Sequence, residues 1–65
     1  MSVMKELERV VLLKPIPTEG LEAGDVGTIV YLHRDGEAYE VEFVASDGHT
    51  RAVATVEANQ VRPAT

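Results

Sequence analysis

Residues Ala38–Val44 read AYEVEFV, and large apolar and acidic side chains alternate along this segment. In a β-strand successive side chains point to opposite faces, so Tyr39, Val41 and Phe43 share one face. Glu40 and Glu42 share the other. The segment therefore predicts a strand with one face in a hydrophobic core and the other in solvent.

An apolar segment and an irregular loop precede this strand. Residues 9–14 (RVVLLK) predict the first strand, which ends at Pro15 because proline cannot donate to a sheet ladder. Residues 15–24 contain further proline and two glycines, which predicts a long loop without regular structure. Within this loop Ile16 and Leu21 are the large apolar side chains, and we expect them to cap one end of the core.

Residues 26–34 (VGTIVYLHR) predict a second strand, in which Gly27 indicates a bulge or a sharp bend. The pair Asp35-Gly36 predicts a tight turn into the strand Ala38–Val44. A second turn is predicted over residues 45–48, which include another Asp-Gly pair.

The last third of the chain predicts two more strands. Residues 50–56 form the fourth strand, and either the face of Val53 or that of Val56 can point inward; we favour the face of Val56. Residues 57–60 are too few for an α-helix and predict a single 3₁₀ turn. Residues 61–62 then form a short final strand before a proline.

This order of elements predicts an all-β fold, a small five-stranded antiparallel barrel of the SH3-like type. A bent second strand can serve both halves of such a barrel, and closure hides the sheet edges. We expect residues 1–65 to form one domain, in which residues 1–7 are frayed or form a short turn. The predicted core consists of inward apolar side chains, namely Val10 or Val11, Leu12, Val26, Ile29, Tyr39, Val41, Phe43, Val56 and Val61.

The composition narrows the class of protein. The 65 residues include 6 Lys and Arg against 11 Asp and Glu, for a formal charge of −5, and no cysteine. The absence of cysteine excludes disulfides and thiolate zinc sites and suits a reducing compartment. No apolar run approaches the ~20 residues of a membrane span. We therefore expect a soluble, cytoplasmic protein without a membrane partner, and the negative charge disfavours nucleic acid.

Four segments carry a resemblance to a known family: ERVVLL at 8–13, GDVGTIV at 24–30, AYEVEF at 38–43 and VRP at 61–63. They resemble a family of uncharacterised small bacterial proteins, a domain of unknown function common in cyanobacteria. More loosely, the signature is similar to the SH3-like barrel of the nitrile hydratase beta subunit and to KOW segments of ribosomal and transcription-elongation proteins. The resemblance implies the fold and a small neighbouring gene in a toxin–antitoxin-like arrangement, but no catalytic residue.

Catalytic, cofactor and metal sites find little support in the residue pattern. The segment Gly24–Gly27 lacks the Gly-Lys-Ser/Thr sequence and the helix of a phosphate loop. His33 and His49 are the only imidazoles, and their spacing identifies no set of three or four metal ligands. Ser2 and Ser46 have no evident base beside them. We therefore predict no enzyme, no cofactor and no metal.

Two surfaces are candidates for binding a partner. The first, which we call the acidic ridge, is either a solvated face or a surface that steers a basic partner; it consists of Glu37, Glu40 and Glu42. The second, which we call the mixed spot, joins aromatic and basic side chains of the kind enriched at interfaces. It consists of Tyr31, His33, Arg34 and Arg51.

Elimination and resemblance together favour a non-catalytic protein-interaction module that binds a protein encoded nearby, as an antitoxin would. Strand addition at an incompletely closed sheet edge would serve such binding, and the same edge could form a homodimer. A KOW-like RNA or ribosome-associated module is the first alternative, supported by Lys14, Arg34 and Arg51. An accessory subunit of a larger enzyme is the second, by analogy with the nitrile hydratase barrel.

Overall fold

A computed structural model describes residues 5–33, 36–44 and 50–64, except for the side chains of Thr50 and Arg51. The predicted turns at 35–36 and 45–48 fall partly or wholly outside these ranges. Five strands form one sheet: β1 (Arg9–Leu12), β2 (Val26–His33), β3 (Ala38–Val44), β4 (Thr50–Glu57) and β5 (Val61–Pro63). The 3₁₀ turns η1 (Pro17–Glu19) and η2 (Ala58–Gln60) lie in the described residues beside them. The all-β, five-stranded prediction is confirmed.

All strand pairs are antiparallel, and their order across the sheet is β4-β3-β2-β1-β5. As expected for an SH3-like arrangement, β2 is shared, because it pairs with β1 on one side and with β3 on the other. The sheet ends at β4 and β5, which do not pair with each other. The expected closure of the barrel is therefore corrected to one unclosed sheet. A physical reason lies in β5, which is only three residues long and ends at Pro63, a residue without a backbone donor.

The inward face of the sheet forms the core. β4 turns Ala54 and Val56 inward, which confirms the favoured face, and β1 buries Val10 rather than Val11. The buried hydrophobic residues are Val10, Leu12, Leu21, Ile29, Tyr39, Val41, Phe43, Ala54, Val56 and Val61.

Val26 was expected in the core, and this prediction is wrong, because its side chain is 38% exposed. Gly27 holds the inward position next to it. A Cβ atom on Gly27 would lie 2.5 Å from Cγ1 of Val41 and 2.9 Å from Cδ1 of Phe43, so β3 approaches this point too closely for any side chain. Strand alternation then turns Val26 outward.

A β-bulge interrupts β2, at a different residue from the one expected. Ile29 lies opposite Val41 and Tyr31 lies opposite Glu40, so β2 carries one extra residue, Val30, between these pairs. Gly27 is thus required for close packing against β3, whereas the irregularity lies three residues later.

The loop between β1 and β2 caps the core as predicted. Ile16 and Leu21 exchange two backbone hydrogen bonds of 2.9 and 3.1 Å, which close the η1 turn between them. Gly20 provides the left-handed conformation (φ 69°) at the end of this turn. Leu21 is fully buried and Ile16 packs against the core, so both act as the expected plugs.

The segment before β1 is a turn held against β2. The N–H of Leu7 donates to the carbonyl of Ile29 at 2.7 Å, and the N–H of Ile29 donates to Glu8 at 2.9 Å. Leu7 has a φ of 69°, which is unusual for a leucine, and its side chain is exposed. Within the described parts of the chain, no helix has the length and apolar character that crossing a membrane requires.

Candidate functional site

The outer face of β2, β3 and β4 brings the two predicted surfaces together. The register places Glu40 of β3 between Tyr31 of β2 and Thr55 of β4. Two further rows flank this one on the same face: Thr28, Glu42 and Val53 on one side, and His33, Ala38 and Glu57 on the other. Directly opposed side chains in such rows lie close enough to interact.

Glu40 is the centre of a hydrogen-bonded group. Its Oε2 atom accepts from Nε2 of His33 at 3.0 Å and from the hydroxyl of Thr55 at 2.8 Å. The ring of Tyr31 packs edge-on against that of His33, with centroids 4.8 Å apart and planes at 68°. We call these four residues the Glu40 cluster. The acidic ridge and the mixed spot therefore meet rather than form separate surfaces.

These contacts favour the ionised form of the carboxyl group. The hydrogen bond from His33, and next the one from Thr55, lower the pKa of Glu40 below its ordinary value near 4.5, and partial burial opposes them only in part. Because one oxygen accepts both bonds, the carboxylate is held in place with its negative charge retained. The outer face thus presents an oriented anion.

An open depression of about 510 Å³ lies beside the cluster. Among the described residues its lining contains three carboxylates and no Lys or Arg; it consists of His33, Glu37, Ala38, Glu40, Thr55 and Glu57. Such a surface suits a cationic group on a partner.

In the described part of the chain, no strand pairs with β4 on the side away from β3. The N–H of Ala58 donates to the carbonyl of Glu37 at 3.0 Å, which fixes the alternation of the ladder between β3 and β4. It follows that Ala54 and Val56 direct their backbone groups toward β3, while Val53 and Thr55 direct theirs away from the sheet. The outward N–H of Glu57 is bound by Oε1 of Gln60 at 2.6 Å, which agrees with this alternation.

The β5 edge at the other end of the sheet is nearly closed to pairing. Ala64 N–H donates to Arg9 at 3.0 Å and Leu13 N–H donates to Gln60 at 2.7 Å. The same alternation then directs the backbone groups of Val61 and Pro63 outward, and proline has no N–H to offer.

The predicted site residues are distributed as follows. Tyr31, His33 and Glu40 lie in the cluster, Glu37 lines the depression, and Glu42 lies one row further along β3. Arg34 lies outside the described residues. Arg51 belongs to β4, where its backbone is four residues from Thr55, roughly 13 Å along the strand. Its side chain is not described, so its part in the mixed spot stays a prediction.

Sequence reasoning missed three residues of this surface: Val53, Thr55 and Glu57. The alternation of β4 contains the signal, since the favoured inward face of Val56 turns these three outward.

Metal-binding and catalytic candidates add nothing to this surface. Among the residues that the structure describes, no group of three or more His, Asp or Glu side chains converges on a point where it could hold a metal ion. His49, Ser2 and Ser46 lie outside the described ranges.

Comparison with known proteins gives a family without an assigned activity. No curated protein and no solved structure matches the chain. A family model described as a domain of unknown function (DUF4926) matches residues 6–63, nearly the whole sequence and all five strands. The chain therefore belongs to this DUF4926 family.

Proposed function

We propose that the chain is a non-catalytic protein-interaction module that accepts a strand of a protein partner at the β4 edge. One observation supports this proposal: Val53 and Thr55 direct their backbone groups outward on an eight-residue strand that ends the sheet. In strand addition, main-chain hydrogen bonds give affinity and alternate side chains give selectivity. The outer face of β2 to β4 is the surface that such side chains would meet.

The partner, in this proposal, is a cytoplasmic protein encoded by a neighbouring gene, which the chain neutralises as an antitoxin would. This part is supported by the resemblance of GDVGTIV at 24–30 and AYEVEF at 38–43 to small bacterial proteins with such neighbours. The loose similarity to KOW segments and to the nitrile hydratase barrel concerns the fold. The acidic outer face disfavours a phosphate backbone as the ligand.

Co-expression with the adjacent gene product tests the proposal. Val53→Pro removes one outward N–H without removing a hydrogen bond to β3, and edge strands tolerate proline at such a position. Val53→Thr is the matched control, because it keeps the N–H and the branched Cβ. We expect the wild type and Val53→Thr to co-purify with the neighbour in a fixed ratio, and Val53→Pro to elute alone while still folded by circular dichroism.

Two results contradict the proposal. One is a wild-type chain that elutes without the neighbouring product. The other is a Val53→Pro chain that retains it as well as the wild type does.

A further inference from the structure

The side chains around the β4 edge specify the kind of strand that it would accept. We propose that the accepted strand is antiparallel to β4 and carries a Lys or Arg opposite Glu57 and an apolar residue opposite Val53. This inference rests on the proposed function and adds the chemistry of the partner.

Charge is the first support. The described side chains of β2, β3 and β4 include the carboxylates of Glu40, Glu42 and Glu57 and no Lys or Arg. Glu37 adds a fourth carboxylate to the depression next to Glu57. Adjacent strands lie about 4.8 Å apart, so an added strand would have Glu57 as its direct neighbour and the β3 carboxylates about 10 Å away. A long cationic side chain on the partner would therefore meet the carboxylate of Glu57 directly.

The apolar requirement comes from Val53. Its side chain is 53% exposed on the same face as Glu57, in a position directly opposite an added strand. A branched or aromatic side chain there would cover it, as cross-strand apolar pairs do.

The spacing of Val53 and Glu57 along β4 determines where the two residues lie in the partner's sequence. Val53 and Glu57 are four residues apart, so their partners on an added strand are also four apart, with the partner of Thr55 midway. Because β4 runs from Val53 to Glu57, an antiparallel strand presents the basic residue first and the apolar residue second. The antiparallel direction continues that of every pair in the sheet.

The overall charge of the chain opposes a second copy at this edge. Each copy carries a formal charge of −5, and pairing through β4 would bring two acidic outer faces into one continuous sheet. Like charges at an interface oppose association. The overall charge of the chain thus opposes self-pairing.

Titration with two short capped peptides, followed by amide chemical shifts of the ¹⁵N-labelled protein, tests this inference. The first peptide carries lysine, threonine and valine at alternate positions, and the second carries glutamate in place of lysine. We expect the lysine peptide to shift the amides of Val53 and Thr55 and to bind about two- to fivefold more tightly, the scale of one exposed charge pair. Glu57→Gln should remove most of this preference, and added salt should weaken it.

Three other outcomes would each overturn a specific part of this inference. If both peptides bind equally and Val53→Pro abolishes both, strand addition holds and the basic motif is wrong. If neither binds while the co-expressed neighbour still depends on Val53, the motif is wrong and the proposed function stands. If sedimentation velocity shows a dimer of the free chain that Val53→Pro dissociates, the occupant is a second copy and the inference fails.

Discussion

The two ends of the sheet differ in how they treat their unpaired backbone. β4 is eight residues long, contains no proline, and directs the N–H groups of Val53 and Thr55 outward. β5 is three residues long, and one of its two outward positions is Pro63. Exposed edges invite unwanted pairing, and short strands with proline are a common protection. On β4 a bulge at Arg51 interrupts the ladder, but the outward positions Val53 and Thr55 carry no proline, which is the reason to look for a partner there.

Both edges depend on one core, so the largest effect comes from breaking that core. Phe43 is buried on β3 and packs next to Gly27 of β2. We expect Phe43→Ala to cost about 3–5 kcal/mol, comparable to the whole stability of so small a domain. Urea denaturation measures the loss.

Val44→Ala, at the exposed next position, is the control and should cost about 1 kcal/mol or less. A Phe43→Ala chain that unfolds at the wild-type urea concentration would place this residue outside the core.

Proline substitution separates the two sides of β4. The N–H of Ala54 faces β3, so Ala54→Pro removes a ladder hydrogen bond and should destabilise the fold strongly. Val53→Pro leaves the ladder with β3 intact and should cost much less. Thermal melts of the two variants compare them directly, and equal destabilisation would show that the Val53 N–H is also bonded within the fold.

Hydrogen exchange sharpens the same distinction in the unmodified protein. The amides of Ala54 and Val56 should exchange at least about a hundredfold more slowly than those of Val53 and Thr55, since only the first pair faces β3. Exchange followed by NMR measures each amide. Equally slow exchange at all four positions would mean that something already covers the β4 edge.

The smallest effect concerns the outer face beside that edge. Because the pKa of Glu40 is lowered in the folded chain, its bonds to His33 and Thr55 stabilise the fold above about pH 4.5. This contribution is lost as the pH falls below that value through the lowered pKa. We therefore expect Glu40→Gln to lower the melting temperature slightly at pH 7, with the difference shrinking near pH 3.

Thr55→Val provides a control for this pH dependence, since it removes one of the two hydrogen bonds and keeps the shape. It should retain part of the dependence that Glu40→Gln removes. A wild-type minus Glu40→Gln difference that grows in acid would contradict the assigned bonds.

Much of this fold follows from local pattern. The alternation of β3 predicts that Tyr39 points inward and Glu40 outward, and this holds. The exposure of Val26 could not be predicted. It follows from the close approach of β3, which leaves room only for a glycine at the inward position next to Val26. An incompletely closed edge was anticipated, but its place at β4 could not be predicted, because pairing between β4 and β5 depends on the path of the whole chain.

The candidate site was predicted in pieces. Glu40 was expected on one surface and Tyr31 and His33 on another, because the offset between β2 and β3 is not visible in either strand alone. The register between these strands joins the pieces. Thr55 and Glu57 were missed because the sequence left two choices for the inward face of β4, that of Val53 and that of Val56.

The extra residue at Val30 shifts the inward–outward alternation of β2 by one position. Counted strictly by twos from Ile29, Tyr31 and His33 would belong to the interior and Leu32 to the exterior. Because Val30 is left out of the pairing, the alternation of side chains reverses after it. The aromatic pair therefore reaches the surface, and Leu32 packs against the core. A chain of this family that lacked Val30 would alternate regularly from Ile29 and keep its aromatic pair outward, whereas pairing Val30 within the ladder would turn that pair inward, away from Glu40.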